Sequence, residues 1–313
     1  MERWYRAPTL ITWLLAPLSF FYGLVVRAWH ASFDLGLHKP VRIEGAFILS
    51  VGNLVVGGSG KTPVVIHLTN AALAAGHRVA VLSRGYGRTS KALLSFSSAA
   101  LPPVADVGDE PRLIARRCPG ATVWVGADRV ELAKRAVAAG STLLILDDGF
   151  QHRRLARDVD LLVDAGVGNG FLLPAGPLRE PATGARRATH VWGRDGRAGT
   201  IEATHRLAAV RAPDGTLLPL SALRGQEAVL LLGVARPELV RAAVEAQGAL
   251  IRATHAHPDH HVFTDAELAA AKTPGAWLLT TEKDAERLPE HSAHVLILDV
   301  EVTRGTLPLP PRG

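Results

Sequence analysis

A glycine-rich run between an apolar stretch and a helical pattern constrains this chain more than any other feature. The run is Gly57-Gly58-Ser59-Gly60-Lys61-Thr62; residues 47–51 before it are largely apolar, and residues 63–73 after it have a helical composition that ends near Gly76. This order predicts a strand, a loop and a helix. Backbone N–H groups and the positive end of the helix would point into such a loop, so it predicts a phosphate-binding site.

The expected ligand of this loop is the triphosphate of ATP. Lys61 would reach the β- and γ-phosphates, and the Thr62 hydroxyl would bind the Mg²⁺ that bridges them. The guanine-reading Asn/Thr-Lys-x-Asp pattern is missing, because Lys283 directly precedes Asp284. An ordinary turn is the alternative, since the first glycine of a strict phosphate-binding loop is replaced by valine. The predicted nucleotide contacts are Val55, Val56, Gly57, Gly58, Ser59, Gly60, Lys61 and Thr62.

A second apolar run ends in two carboxylates. Residues 142–146 have the pattern of a buried strand, and Asp147-Asp148-Gly149 follows. Alone, this tripeptide is more often a turn. Together with the phosphate-binding loop it predicts a strand whose tip holds Mg²⁺, with Thr62, Asp147 and Asp148 as the metal ligands.

Length and composition predict a folded protein of two domains. The chain has 313 residues, of which 48% are hydrophobic and 20% charged, and its one cysteine excludes an internal disulfide. We predict a P-loop NTPase-like α/β/α core over residues 36–200 and a second, smaller α/β domain over residues 221–313. A β-hairpin linker at residues 201–220 would join them, because an Ala-Pro-Asp-Gly turn separates two apolar runs there.

The N-terminal residues 1–35 are predicted to form an apolar helix that associates with a membrane. Residues 7–26 carry no charge. This uncharged stretch barely reaches the roughly 20 residues that a spanning helix needs. Pro17 would kink or break that helix. An interfacial helix is therefore favoured over a span, a signal peptide or a helix buried against the protein. The net charge of +6 favours an anionic partner, but without a basic run no nucleic acid is expected.

Loops after the other predicted strands carry further polar residues. Arg84 and Tyr86 follow an apolar strand, where loops of an open α/β sheet form the ligand crevice; a surface turn is the alternative. Asp109 precedes a helical segment, and taken alone it is interpreted as a helix cap. Arg179 and Glu180 belong to a loop rich in proline and glycine.

The histidine-rich run at residues 255–261 allows three interpretations. His255, His257, Asp259 and His260 have the spacing of a zinc-dependent hydrolase site. The run is also compatible with a solvated surface loop. In the third interpretation, one histidine pairs with a carboxylate to accept the proton of an alcohol during phosphoryl transfer.

Taken together, the chain resembles the tetraacyldisaccharide 4′-kinases of lipid A biosynthesis. The similarity runs from the N-terminal apolar segment to near residue 284 and keeps the order of seven motifs. They are Val51-Gly52-Asn53 with the glycine-rich run, Arg84-Gly85-Tyr86-Gly87, Val107-Gly108-Asp109-Glu110-Pro111, Asp147-Asp148-Gly149-Phe150-Gln151-His152, residues 173–181, Asp259-His260-His261 and Thr281-Glu282-Lys283-Asp284.

This resemblance implies transfer of the ATP γ-phosphate to the 4′-hydroxyl of a tetraacylated glucosamine disaccharide 1-phosphate. It implies catalysis by Asp109, His260 and Lys61, which replaces the cap interpretation of Asp109. It also implies a site around the lipid headgroup, formed by Asn53, Arg84, Tyr86, Gln151, His152, Arg179 and Glu180.

The resemblance further implies a peripheral or monotopic protein at the cytoplasmic face of the bacterial inner membrane. No obligate protein partner is expected. Besides zinc-dependent hydrolysis, the alternative is a membrane-tethered nucleotide-binding scaffold, which would bind ATP without consuming it.

Overall fold

The structure is a computed structural model that describes residues 5–58 and 60–311. The prediction for Ser59 therefore lies outside the described residues. Within that part of the chain, thirteen strands form one mixed sheet. The strands are Phe47–Gly52 (β1), Val79–Ser83 (β2), Leu94–Phe96 (β3), Thr122–Val125 (β4), Leu143–Asp147 (β5), Val159–Val163 (β6), His190–Arg194 (β7), Ile201–Arg211 (β8), Leu217–Leu218 (β9), Glu227–Leu232 (β10), Leu250–Ala256 (β11), Trp277–Thr281 (β12) and His294–Arg304 (β13).

Eight α-helices in the described ranges cover this sheet and its edges. Short 3₁₀ segments at Ala182–Arg187 and Leu220–Leu223 add to them. The α-helices are Leu10–Asp34 (α1), Lys61–Ala74 (α2), Val104–Val107 (α3), Asp109–Arg117 (α4), Arg129–Ala138 (α5), Pro237–Glu245 (α6), Asp265–Ala271 (α7) and Glu282–Ala285 (α8).

The strand order places the phosphate-binding loop and the acidic strand tip side by side. Strand β1 lies between β5 and β6, and β5 also pairs with β2, all in parallel. The path through the sheet is β11-β10-β12-β13-β8-β7-β6-β1-β5-β2-β4-β3, with β9 paired to β8. The carboxyl ends of β1, β2 and β5 thus meet at one edge, which is where an open α/β sheet binds its ligands.

Both faces of the first half of the sheet are buried, as continuous apolar strands require. Along β5, Leu143 and Ile145 pack with α2 and α4 on one face. Leu144 and Leu146 pack with α5 on the other. This alternation confirms the predicted α/β/α core, and it holds the loops at the carboxyl edge on a rigid base.

The hairpin and the second half continue the same sheet. Strands β8 and β9 are antiparallel across the predicted turn. Strand β8 also pairs in parallel with β7 and in antiparallel with β13, so the sheet passes from one half to the other without a break. In the second half, β10, β11, β12 and β13 are parallel neighbours, with α6 and α7 on opposite faces.

Helix α1 is continuous through Pro17 and exposes its apolar side chains. Small and polar residues face the protein: Ser19 Oγ donates to the Leu172 carbonyl at 2.8 Å, and Gly23 lies against the same leucine. Trp13, Leu14, Phe21 and other large apolar residues of the helix are more than 40% exposed. The helix is long and apolar enough to cross a membrane, with a mean hydropathy of 1.6.

Candidate active site

The glycine-rich loop is formed by left-handed backbone and a short pairing with a second loop. Gly57 and Gly60 have φ of +92° and +76°, a conformation that favours glycine, and Gly60 is the N-cap of α2. Before the turn, Val55 pairs with Leu178, and the Val56 N–H donates to the Pro177 carbonyl at 2.9 Å. The second loop thereby fixes the path of the first.

Lys61 is held near an acid at the end of β5. Its Nζ donates to Asn53 Oδ1 at 3.2 Å and lies 3.5 Å from Asp148 Oδ1. Arg179 Nη1 is 2.7 Å from the other oxygen of Asp148. Burial alone would raise the pKa of Asp148, but Lys61 and Arg179 outweigh it and lower that pKa. A carboxylate and two cations are therefore grouped at the end of β5.

Asp147 is buried, and one of its two carboxylate oxygens accepts a hydrogen bond. Ser83 Oγ donates to its Oδ2 at 2.9 Å. Burial, followed by the charges of Glu110 and Asp148, raises its pKa to about 7. Among the described residues none hydrogen-bonds Asp147 Oδ1. An orphaned carboxylate oxygen near Asp148 and the start of α2 fits a hard divalent cation such as Mg²⁺.

Asp109 and His260 meet although 151 residues separate them. His260 Nδ1 lies 2.9 Å from Asp109 Oδ2, and Asp109 is buried at the first position of α4. The N-cap of this helix is Gly108, whose φ is +90° and whose missing Cβ would lie 2.9 Å from the Tyr86 carbonyl oxygen. Burial would raise the pKa of Asp109, but His260, Lys283 and Arg287 lower it, so the carboxylate is ionised near neutral pH.

Lys283 completes this pair and decides where the imidazole proton lies. Its Nζ is 3.1 Å from His260 Nε2, 2.8 Å from Asp259 Oδ1 and 3.5 Å from Glu110 Oε1. Burial would lower the Lys283 pKa, but the surrounding carboxylates raise it. Because an ammonium group can only donate, Nε2 of His260 accepts this hydrogen bond and the proton is on Nδ1, which donates to Asp109.

Arg287 provides the second compensating charge for Asp109. Its Nη1 lies 3.3 Å from Asp109 Oδ2, and its Nη2 pairs with Asp284 and donates to the Gly233 carbonyl at 3.2 Å. Both Arg287 and Asp109 are only 4% exposed. The buried charge of Asp109 is thus balanced, as a buried carboxylate requires.

Two contacts bring the Asp109–His260 pair and the phosphate-binding loop to one site. Glu110, the neighbour of Asp109 in sequence, contacts Lys283 and acts on the pKa of Asp147. A Cβ on Gly58 would lie 3.1 Å from the Ala235 Cβ in the second half. The glycine-rich loop, the Asp-Asp-Gly turn and the Asp109–His260 pair therefore lie near one another where the two halves of the sheet meet.

The predicted substrate residues fall into two groups. Tyr86 is 70% exposed, with its ring centroid 5.3 Å from that of His260, and Arg84 is exposed at the end of β2. Tyr86 thus lies beside the buried pair, whereas the charge of Arg84 acts on Arg129. Tyr22 of α1 donates to the Arg179 carbonyl at 2.7 Å, which places Arg179 under the N-terminal helix.

Gln151 and Glu180 belong to this second group as supports. Gln151 Nε2 donates to the Asn53 carbonyl and to Glu180 Oε1, each at 2.8 Å. Glu180 is only 1% exposed; it pairs with Arg187 at 2.7 Å and with His30 of α1 at 3.3 Å. Together they fix Asn53, which in turn orients Lys61.

His152 lies beyond this support with a buried Nε2 that no described residue hydrogen-bonds. Burial, followed by the charges of Arg129 and Arg157, lowers its pKa to about 4. The imidazole is therefore neutral at physiological pH, and it lies among arginines rather than beside the Asp109–His260 pair.

Sequence reasoning left four residues of the site without a role. Arg129 is 5% exposed, and burial lowers its pKa to about 10 although Asp147 lies near it. Lys283 belongs to one of the seven motifs of the resemblance. Its contacts with Glu110, Asp259 and His260 nevertheless join three segments of the chain. Apart from the motif that contains Lys283, no short sequence pattern indicated these contacts. The four residues are Ser83, Arg129, Lys283 and Arg287.

The zinc-hydrolase set is not brought together. Asp259 pairs with Lys283, His260 pairs with Asp109, and His255 lies within β11. The spacing in sequence suggested a common ligand, but the strand end at Ala256 and the left-handed His260, whose φ is +64°, separate the side chains. The structure thus favours the histidine–carboxylate interpretation.

Comparisons with known proteins agree on one family. A family profile described as tetraacyldisaccharide-1-P 4′-kinase matches residues 11–307. The tetraacyldisaccharide 4′-kinase of Anaeromyxobacter dehalogenans (strain 2CP-1) is 44% identical over 93% of this chain and 86% of the relative. That of Polaromonas sp. (strain JS666) is 40% identical over 88% of this chain and 82% of the relative.

A solved structure shares the fold. The crystal structure of the "apo" form of LpxK from Aquifex aeolicus in complex with ATP has a TM-score of 0.82 to this chain at 30% sequence identity. The superposition covers 94% of this chain and 96% of that chain.

Proposed function

The chain belongs to the tetraacyldisaccharide-1-phosphate 4′-kinase family, and from this premise we propose how its residues divide the reaction. It is an ATP-dependent kinase that phosphorylates the 4′-hydroxyl of a tetraacylated glucosamine disaccharide 1-phosphate in lipid A biosynthesis. The observation that supports our division of roles is the buried Asp109–His260 pair, whose neighbour Glu110 acts on the Asp-Asp-Gly turn that Lys61 contacts.

The loop at residues 55–62 binds the triphosphate. Its left-handed glycines and the start of α2 present N–H groups to the phosphates. On binding, the Lys61 ammonium leaves Asp148, 3.5 Å away, for the β- and γ-phosphate oxygens. Asn53 keeps the side chain directed at the loop.

Thr62, Asp147 and Asp148 would hold Mg²⁺. The orphaned Oδ1 of Asp147 is the observation behind this proposal. When bound, the ion would supply positive charge against the phosphate oxygens. Arg179 remains paired with Asp148 at 2.7 Å and keeps that carboxylate ionised.

Asp109 accepts the proton of the 4′-hydroxyl, and His260 orients it. Nε2 of His260 accepts a hydrogen bond from Lys283. Within the pair, only the Asp109 carboxylate therefore has lone pairs left to accept the hydroxyl proton. The lowered pKa of Asp109 makes it a weak base. A weak base suffices, because the loose transition state of phosphoryl transfer puts little charge on the attacking oxygen.

The lipid approaches from the N-terminal helix at the cytoplasmic face of the membrane. Each acyl CH₂ taken out of the bilayer would cost about 0.8 kcal/mol, so the enzyme goes to its substrate. The exposed apolar side of α1 faces lipid. Its inner side contacts the supports of the site, through Tyr22 to Arg179 and through His30 to Glu180. Arg84 and Tyr86 bind the headgroup, with Tyr86 beside His260.

Paired substitutions test this division of roles. In Lys61→Ala, transfer to the lipid falls at least about 100-fold and ATP binds more weakly, since a phosphate ligand is lost. In Asp109→Asn, transfer falls by about 10²–10⁴-fold while ATP affinity stays within about twofold. Asp106→Asn, on the short helix α3, is the matched control with normal activity. Normal turnover by Asp109→Asn would overturn the base assignment.

A further inference from the structure

A second cluster of histidines lies immediately beside the His260 loop. The rings of His257 and His261 stack with centroids 4.4 Å apart and planes inclined by 17°. His261 Nε2 lies 3.1 Å from both carboxylate oxygens of Glu267, and His257 Nδ1 lies 3.5 Å from Oε1 of the same residue. None of these three residues has a role in the phosphoryl transfer described above.

The carboxylate of this cluster is fixed in orientation. Thr264 is the N-cap of α7, and its N–H and hydroxyl donate to Glu267 Oε2 at 2.8 and 3.0 Å. Phe263 packs edge-on against both imidazoles, at centroid distances of 5.5 and 5.3 Å. Hydrogen bonds and packing contacts of this kind, made by residues around a metal site, orient the metal ligands.

We propose that His257, His261 and Glu267 bind a divalent transition-metal ion, and that Zn²⁺ fits them best. Each contributes one donor atom, and the three donors lie within 4.8 Å of one another. Two imidazoles and one carboxylate are an established zinc donor set with a position left open for water. This site differs from the proposed Mg²⁺ site in its donor atoms: two of its three donors are imidazole nitrogens, whereas Mg²⁺ prefers oxygen ligands.

The site needs only a small contraction to close around an ion. Bonds of about 2.0–2.2 Å to zinc place donor atoms roughly 3–3.5 Å apart. The side chains of His257, His261 and Glu267 are 20%, 27% and 31% exposed, so the imidazoles are packed against Phe263 without being enclosed and can approach the fixed carboxylate. The open side also gives an ion a path from solvent.

Occupancy of this site would act on the active site through the backbone. His260 lies between two of the ligands and has a φ of +64°. An ion bound at residues 257, 261 and 267 ties the end of β11 to the start of α7. It thereby restricts the loop that presents His260 to Asp109, and it stabilises the native state by binding it in preference to the unfolded chain.

Cobalt substitution tests the proposal without relying on activity. Full-length protein in detergent micelles, with excess Mg²⁺ to occupy the carboxylate site, is titrated with Co²⁺ and followed by visible absorption. We expect one equivalent to bind with the ligand-field bands of a four- or five-coordinate nitrogen–oxygen site. Zn²⁺ should displace it and raise the melting temperature.

Two variants and a control locate the ion. His257→Phe keeps ring packing but removes a ligand, and Glu267→Gln keeps the capping hydrogen bond but removes the charge; each should weaken Co²⁺ binding at least tenfold. His255→Gln, outside the cluster, should bind as the wild type does. Absence of saturable binding below millimolar Co²⁺ would overturn the site. Wild-type affinity in either folded variant would do the same, leaving Glu267 as a hydrogen-bond acceptor for two imidazoles.

Discussion

A single lysine selects the tautomer of the imidazole that pairs with Asp109. Lys283 Nζ lies 3.1 Å from His260 Nε2, which leaves the proton on Nδ1, facing Asp109 at 2.9 Å. Without Lys283 both tautomers become accessible, and Nε2 can donate to solvent or substrate. Lys283 is thus a positioning residue for the dyad.

Substitution Lys283→Met should therefore lower kcat about 10–100-fold with little change in the KM for ATP. ¹⁵N NMR of the histidines should show the Nδ1–H form of His260 in the wild type and a tautomer mixture in the variant. Lys272→Met, at an exposed lysine, is the control. An unchanged tautomer together with an unchanged kcat would exclude this role.

Buried His205 predicts loss of stability on mild acidification. Burial, followed by the charge of Arg194, lowers its pKa to about 4, whereas the unfolded chain titrates near 6.5. Below pH 6.5 the unfolded state therefore binds more protons, and the free energy of unfolding falls as the pH falls. Between pH 6.5 and 5 the expected loss from this residue is about 1–2 kcal/mol.

Urea denaturation of wild type and His205→Gln at both pH values measures this loss. The variant should lose less stability than the wild type between them, and His190→Gln, in part-exposed β7, should behave as the wild type. Equal losses in wild type and His205→Gln would contradict the buried neutral imidazole.

The placement of site residues was predictable where it depends on a short motif and not where it depends on neighbours in space. The positions of Lys61, Asp147 and Asp148 at the ends of a loop and a strand follow from strand, loop and helix order, and their roles stay predictions. Asp109 looked like a helix cap, and it does begin α4. Its environment of His260, Lys283 and Arg287 comes from residues more than 150 positions away, for which local sequence carries no signal.

Among the elements, helix α4 is clamped to the second half by three arginines. Arg112 and Arg116 share the buried Glu286, at 2.6 and 2.7 Å. Arg117 pairs with Glu282 at 2.6 Å and with Asp299 at 2.7 Å. Because α4 begins with Asp109, this clamp sets the position of the carboxylate relative to the His260 loop.

Breaking the clamp should destabilise the protein and slow transfer together. Glu286→Gln leaves two partly buried guanidinium groups without their carboxylate, at an expected cost of about 2–4 kcal/mol. Its matched control is Glu290→Gln, since Glu290 is 68% exposed and lies 3.6 Å from Arg116; this exposed pair should contribute less than about 1 kcal/mol. Thermal denaturation compares them, and equal melting temperatures would refute the clamp.

Helix α1 makes a separate prediction for membrane attachment. Its outer side chains Leu14 and Leu18 are 69% and 59% exposed. The double substitution to glutamate should reduce binding to anionic vesicles at least tenfold, because two charges would enter the interface, while ATP binding persists. Leu217→Glu, at a leucine on β9 that is 67% exposed, is the control. Unchanged vesicle binding by the α1 variant would count against the interfacial helix.

The existence of α1 was predictable from its uncharged length, but its relation to the site was not. Pro17 was expected to kink or break the helix, and the helix continues through it. Small residues such as Ser19 and Gly23 gave little hydrophobic signal, yet they are the positions that contact Leu172. Sequence periodicity reports which residues are apolar and does not report whether lipid or protein covers them.

Over the whole molecule, the sheet joins two halves that each supply part of one site. The predicted hairpin is present, but β8 also pairs with β13 and β7. The pairing of β8 with β13 joins segments about ninety residues apart, and only tertiary packing specifies it. The continuous sheet holds the segments that carry Asp109 and His260 in contact.

The central claim is that Asp109 and Lys61 act on one phosphoryl group: Lys61 binds its oxygens, and Asp109 accepts the proton of the attacking hydroxyl. It is tested most directly by following the label from γ-³²P-ATP into the tetraacylated disaccharide 1-phosphate with wild type, Lys61→Ala and Asp109→Asn. We predict lipid-dependent labelling at the 4′-position by the wild type, with both variants reduced at least about 100-fold and Asp109→Asn still binding ATP. Labelled 4′-phosphate formed at the wild-type rate by Asp109→Asn would contradict the account.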